Sequence, residues 1–126
     1  MELVRSGETV RRKPPVPNTP TVDVLFGGDA DSPDVGVVRV TVPVGAAMPE
    51  HDHGGSDVVL VPTAGAVEIT QGPDTIHVGV GDAALVRKDE RVALRNPGDV
   101  AAEVIVSAGP PVFVAGIRAW PEPARS

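Results

Sequence analysis

The chain has 126 residues, no cysteine, no tyrosine and a formal net charge of −6. Its length suits one domain with a real hydrophobic core, and the missing thiols exclude disulfides, thiolate metal sites and cysteine nucleophiles. The acidic balance and an aromatic content of 2% (Phe26, Phe113 and Trp120) argue against a nucleic-acid partner, which needs a basic face and stacking rings. Fourteen glycines and fourteen prolines argue against long helices. The valine-rich apolar set favours strands. The N-terminus lacks the apolar run of a signal peptide, Arg11-Arg12-Lys13 is followed by prolines rather than an apolar segment, and no stretch approaches the roughly 20 apolar residues of a membrane span. The expectation is a cytoplasmic protein with no membrane partner.

In chain order, residues 1–20 read as an extended, proline-rich arm with one short strand at most. Strands are expected at 22–26 and 35–42, separated by the acidic loop 27–34. Met48–His53 and Asp57–Val61 follow, joined by Gly54-Gly55, whose tolerance of positive φ permits a tight reversal. Further strands are expected at 66–70, 75–80, 83–87, 92–95 and 101–107, with turns at Gln71-Gly72-Pro73-Asp74, Gly81-Asp82 and Asn96-Pro97-Gly98-Asp99. Val112–Ala119 is read as a final strand, and 120–126 as a loose tail. About nine short strands at spacings near 8–12 residues predict an all-β sandwich or barrel spanning 21–119. Val40, Val59, Val61 and Leu85 are expected on its interior face.

His51-Asp52-His53 is the densest chemistry in the chain, holding two of its three histidines. On an extended strand, i and i+2 share a face, so both imidazoles aim at one point. A reversal at Gly54-Gly55 would bring Asp57 back beside His53. Two imidazoles and a carboxylate are a common ligand set for first-row metals.

Gly45, His51, His53, Asp57 and Gly65 together resemble the first motif of the cupin superfamily, in which a glutamate usually stands where Asp57 does. Gly81-Asp82 and Asn96-Pro97-Gly98 resemble the start and end of its second motif. Val92 falls where that family usually has a third metal-binding histidine. The resemblance implies a single-domain, cupin-like jelly-roll β-barrel that pairs as a homodimer, with the N-terminal arm against the partner. It also implies a divalent metal (Fe, Mn, Ni or Zn) on His51, His53 and Asp57, with open positions for a small-molecule substrate. Oxygenase, isomerase, cyclase and decarboxylase chemistry are all compatible. The alternatives are a non-catalytic small-molecule-binding cupin and a structural one whose pocket is packed shut.

The remaining candidates read as structural. His77 lies opposite the apolar face of Ile76, Val78 and Val80, and is expected on the surface. Glu50 should point away from the histidines. Asp29, Asp31 and Asp34 fail the EF-hand spacing and read as a solvated turn. Arg87-Lys88-Asp89-Glu90-Arg91 reads as a solvated tip, which the resemblance places at the barrel mouth, where Arg87 or Arg91 would meet an anionic ligand. The few aromatics disfavour flat aromatic ligands. No nucleophile elbow or Schiff-base lysine is evident.

Overall fold

Alternation along the valine-rich segments decides the layers. The computed structural model describes residues 1–29 and 31–123; Ala30 of the expected acidic loop and residues 124–126 of the expected tail lie outside the described residues. Among the described residues there are ten strands: β1 Val10–Arg12, β2 Thr21–Phe26, β3 Gly36–Val42, β4 Ala47–His51, β5 Asp57–Ala64, β6 Ala66–Gln71, β7 Asp74–Gly79, β8 Ala84–Val86, β9 Val92–Arg95 and β10 Ala102–Gly109. One helix, α1 Val112–Arg118, follows. Strands β1-β2-β3-β10-β5-β8 form one antiparallel sheet and β4-β9-β6-β7 the other. Among the described residues no ladder joins the two sheets, so the jelly roll is an open sandwich and not the closed barrel expected from sequence.

Three interior assignments are corrected by strand parity. Along β5, Val58, Leu60 and Pro62 are buried, whereas Val59 and Val61 face out. Val59 pairs with Leu85 of β8, which faces out with it. A run of valines and leucines carries no polar residue to mark its outer side, so its parity is invisible in sequence. Val40 does face inward, toward a cavity described below. The core is mostly valine: Val24, Val38, Val58, Val67 and Val104 are essentially inaccessible, each contributing roughly 1.5–3 kcal/mol by burial.

The strand expected at Val112–Ala119 is instead α1. Val114 and Ile117, three residues apart, are its buried residues; Phe113, Ile117 and Trp120 extend the same 3–4 spacing that brings side chains onto one helix face. The cis Gly109–Pro110 bond and Pro111 precede the helix, and Pro111 stands at its N-cap. The helix lies directly on the β2–β3 loop. Gly28 has φ +73°, and a Cβ there would sit 2.6 Å from Ala115 N. Asp31 fixes this contact from the loop side. Its carboxylate accepts the Gly27 N–H (3.2 Å) and lies 3.9 Å from the Arg118 guanidinium, while Arg118 Nε donates to Gly27 O at 2.8 Å. The acidic loop is therefore tied to α1 rather than simply solvated.

The N-terminal arm adds β1 to the edge of its own chain's sheet, in register Val10↔Val24. Asp23, 3% exposed, accepts hydrogen bonds from Thr9 Oγ1 (3.1 Å) and from Arg11 Nε (2.8 Å) and Nη2 (3.2 Å). Burial alone would push its carboxyl up, but the hydrogen bonds from Arg11 and Thr9 and the charges of Arg11 and Arg39 together bring it below the usual range. No helix among the described residues is long and apolar enough to cross a membrane.

Two outcomes follow. A carboxyl with a depressed folded pKa adds stability above its unfolded value of about 3.9 and loses it as pH falls through the folded value. Asp23→Asn is therefore expected to cost about 1–3 kcal/mol at neutral pH, a difference that shrinks below about pH 4; urea unfolding at both pH values checks it. Gly28→Ala, forced against the helix backbone, is expected to cost about 1–3 kcal/mol and to shift the emission of Trp120, the only tryptophan.

Candidate functional site

An insertion in one strand aims the histidines. Met48 pairs with Leu94, and strict pairing would place Glu50 opposite Val92; instead His51 is opposite Val92. One extra residue therefore bulges from β4, reversing its parity as bulges do. Pro49, which has no N–H for a ladder, sits in the bulge on an edge strand, where proline is tolerated. The result is that Met48 and His51 both face inward and Glu50 faces solvent, where Arg91 Nε donates to its Oε1 at 2.7 Å.

His53 follows His51 onto the same side. The two rings are 4.9 Å apart between centroids and nearly perpendicular. His53 in turn packs edge-on against Phe113 of α1 at 5.2 Å. His51 Nδ1 lies 2.8 Å from Pro49 O. A carbonyl oxygen only accepts, so Nδ1 carries the proton and Nε2 keeps its lone pair. His53 Nδ1 is buried with no hydrogen-bond partner. Burial, and secondly the neighbouring His51, push the His53 imidazole down to about 4, against an upward pull from Asp52. His53 is thus neutral near pH 7.

Both imidazoles border a cavity of about 240 Å³ between the sheets. Its walls are Val22, Val38, Val40, Leu60, Leu94 and Val106, with Met48 from β4 and Pro20 ahead of β2. Helix α1 closes one side with Phe113, Gly116 and Ile117, and Trp120 stands just beyond it. Asp52 is the one charged residue in the lining; its Oδ1 accepts the Gly54 N–H at 2.9 Å and its Oδ2 lies 3.4 Å from Arg91 Nη1. Ser56, fully buried, donates its hydroxyl to Pro110 O and so ties the β4–β5 corner to the segment that leads into α1.

The three residues expected to hold a metal are not brought together. Gly54-Gly55 is not a hairpin between paired strands: β4 and β5 belong to different sheets, so the turn is a corner. Asp57 leaves that corner facing outward, where its Oδ1 accepts the Lys88 N–H at 2.9 Å. Val92, buried, stands beside His51 with no ligand atom. Among the described residues no group of three histidine, aspartate or glutamate side chains converges. His77 is exposed on β7, as expected. Arg91 is committed to Glu50 and Asp52, and Arg87 is exposed.

The contact of Phe113 with His53 and the place of Trp120 in the same lining depend on the helical spacing Phe113, Ile117, Trp120, which is too short a run to register as a periodic segment in sequence.

No curated protein sequence matches the chain. Among solved structures, the fold is similar to KdgF from Halomonas sp., at 18% identity over 86% of this chain and 94% of that one, with a TM-score of 0.71. It is similar to a protein described as a predicted oxalate decarboxylase from Thermotoga maritima, at 18% identity over 86% and 98% of the two chains (TM-score 0.70). It also resembles the polyketide cyclase RemF from Streptomyces resistomycificus, at 15% identity over 86% and 79% (TM-score 0.73). At these identities the likeness is one of fold. A cupin domain model matches residues 38–108. That span runs from β3 to β10 and holds both inward-facing imidazoles: the chain belongs to the cupin family.

Proposed function

We propose that this protein binds a small, largely apolar molecule in the cavity between its sheets, with the polar end of that molecule set against His51 and His53. The observation that carries the reading is the convergence of the His51 and His53 rings on about 240 Å³ of apolar-walled space. Imidazole nitrogens in an otherwise apolar lining offer hydrogen-bond partners to the polar group of a bound molecule. The volume is small for a ligand site yet exceeds the ~150 Å³ of an apolar cavity that takes up benzene. Toluene is a suitable probe. Titrated into the protein, it is expected to change Trp120 emission saturably, and Val40→Phe, which fills the void from β3, is expected to weaken that response by about tenfold or more by removing most of the space. A wild-type response that never saturates, or that survives Val40→Phe unchanged, would sink the reading.

A second reading is favoured by the His51 tautomer. A histidine that donates Nδ1–H to a backbone carbonyl has its Nε2 oriented for a metal, and His53 converges on the same region. The site would then hold Fe, Mn, Ni or Zn, which supplies Lewis-acid or oxygen chemistry when bound. As placed, however, the residues offer two imidazoles, one fewer than the three protein ligands usual for catalytic zinc; Asp57 would have to leave the Lys88 N–H to join them. The expectation is metal well below stoichiometry in protein purified without a histidine tag, measured by elemental mass spectrometry. Stoichiometric metal that is lost in His51→Ala would establish the metal reading instead.

A further inference from the structure

We propose that the cavity selects a neutral ring compound bearing a hydroxyl or N–H group and rejects the corresponding carboxylate. The proposal deepens the small-molecule reading and rests on it.

The shape argument comes from the rings. The chain has few aromatic side chains, yet Phe113, Trp120, His51 and His53 all border this one cavity; only Phe26 and His77 lie elsewhere. His51 meets His53 at 77°, and His53 meets Phe113 at 77°. Consecutive perpendicular rings present both faces and edges, the two surfaces a flat ring packs against. The aliphatic walls from β2, β3, β5, β9 and β10 leave about 240 Å³ of partly open space, room for one six-membered ring with a substituent.

The polar argument comes from what His51 has already spent. Its N–H goes to Pro49 O, so its remaining nitrogen accepts and calls for a donor on the ligand. A carboxylate has no donor to offer. It would also need a cation, and the lining contains no lysine or arginine. The Arg91 guanidinium, which meets the lining at Asp52, its one charged residue, is also held by Glu50. A carboxylate would therefore enter a largely apolar cavity beside an acid, with no cation and only the uncharged N–H groups of His53 and Trp120 to meet it, at a large desolvation cost.

The test uses the full chain, treated with chelator, at about pH 8, where imidazole is neutral. Toluene, p-cresol and p-toluate differ in the group carried by one ring, and each is titrated while Trp120 emission and heat are followed. p-Cresol is expected to bind about 3–10-fold tighter than toluene, the worth of one added hydrogen bond. p-Toluate is expected to bind at least about tenfold more weakly than p-cresol because its charge finds no cation. In His51→Phe the ratio of p-cresol to toluene affinity is expected to collapse to about one, whatever the absolute affinities. If p-toluate binds as tightly as p-cresol, or if p-cresol keeps its advantage in His51→Phe, the assignment of ligand class is overturned while cavity binding stands. If toluene itself fails to bind, cavity binding falls and the ligand class falls with it. The wild-type ranking decides the matter even if the variant does not fold.

Discussion

One inserted residue in β4 sets the character of this molecule. Had β4 continued in strict register with β9 beyond Met48, Glu50 would face Val92 and the interior would receive a carboxylate. The bulge around Pro49 exchanges that carboxylate for two imidazoles and sends Glu50 to the surface, where Arg91 meets it. The cost of a bulge is an interrupted ladder. It falls on an edge strand, and Pro49 has no N–H to waste. The same distortion supplies the carbonyl that holds His51 in one tautomer. Ring orientation, proton position and local charge thus follow from one backbone irregularity.

The cavity depends on a second contact made far from it in sequence. Two open sheets do not seal their own end, and α1 covers it. The helix has only seven residues, too few to be stable alone, so its position is imposed from outside. Gly28 lets the loop backbone touch it, Arg118 binds Gly27 O from its last turn, and Ser56 holds the segment ahead of it. Asn96 does the same work at the opposite corner: its side chain donates to Val42 O and Val100 O and accepts from Gly98 N–H, and its own N–H goes to Ala46 O. This clamps the crossing from β3 to β4 at the point where the chain changes sheets. Both clamps use backbone carbonyls as partners, which is how irregular connections bury polar groups without penalty.

The strands were legible because glycine and proline punctuate them, and nearly every expected segment from β2 to β10 lies within a residue or two of a real one, though some strands run longer. The shared face of His51 and His53 was legible from the i, i+2 rule, which survives a bulge placed before both. Three features were not. Which of Val58 and Val59 points inward depends on a parity that an apolar run does not encode. The helix at Val112–Arg118 hides in a sequence of β-branched and aromatic residues whose local preference is for strand, and packing on Gly28 overrides it. The place of Asp57 depended on whether Gly54-Gly55 closes a hairpin or turns a corner between sheets. The same two glycines serve either geometry, so the choice belongs to the long-range pairing of β5 with β10 and β8.

On our proposal, the bulge and the helix together offset what composition alone implies. A content of 2% aromatic residues argues against a flat ligand, but composition averages over the surface and the interior alike. Phe113 arrives on the helix and Trp120 just after it, His51 on the distorted strand and His53 just after it, and the two segments meet over the same cavity. Charge is sorted with equal economy. Arg11 with Asp23, Arg39 with Glu103, Arg91 with Glu50 and Arg95 with Glu68 are ion pairs that each include at least one exposed side chain, while the cavity keeps Asp52 at its border and no cation. An acidic protein thereby has a cavity whose polar lining, apart from Asp52, is mostly imidazole. That group can accept or donate without carrying charge, and discrimination between a neutral donor and an anion then follows from the electrostatics of the enclosure rather than from any single contact.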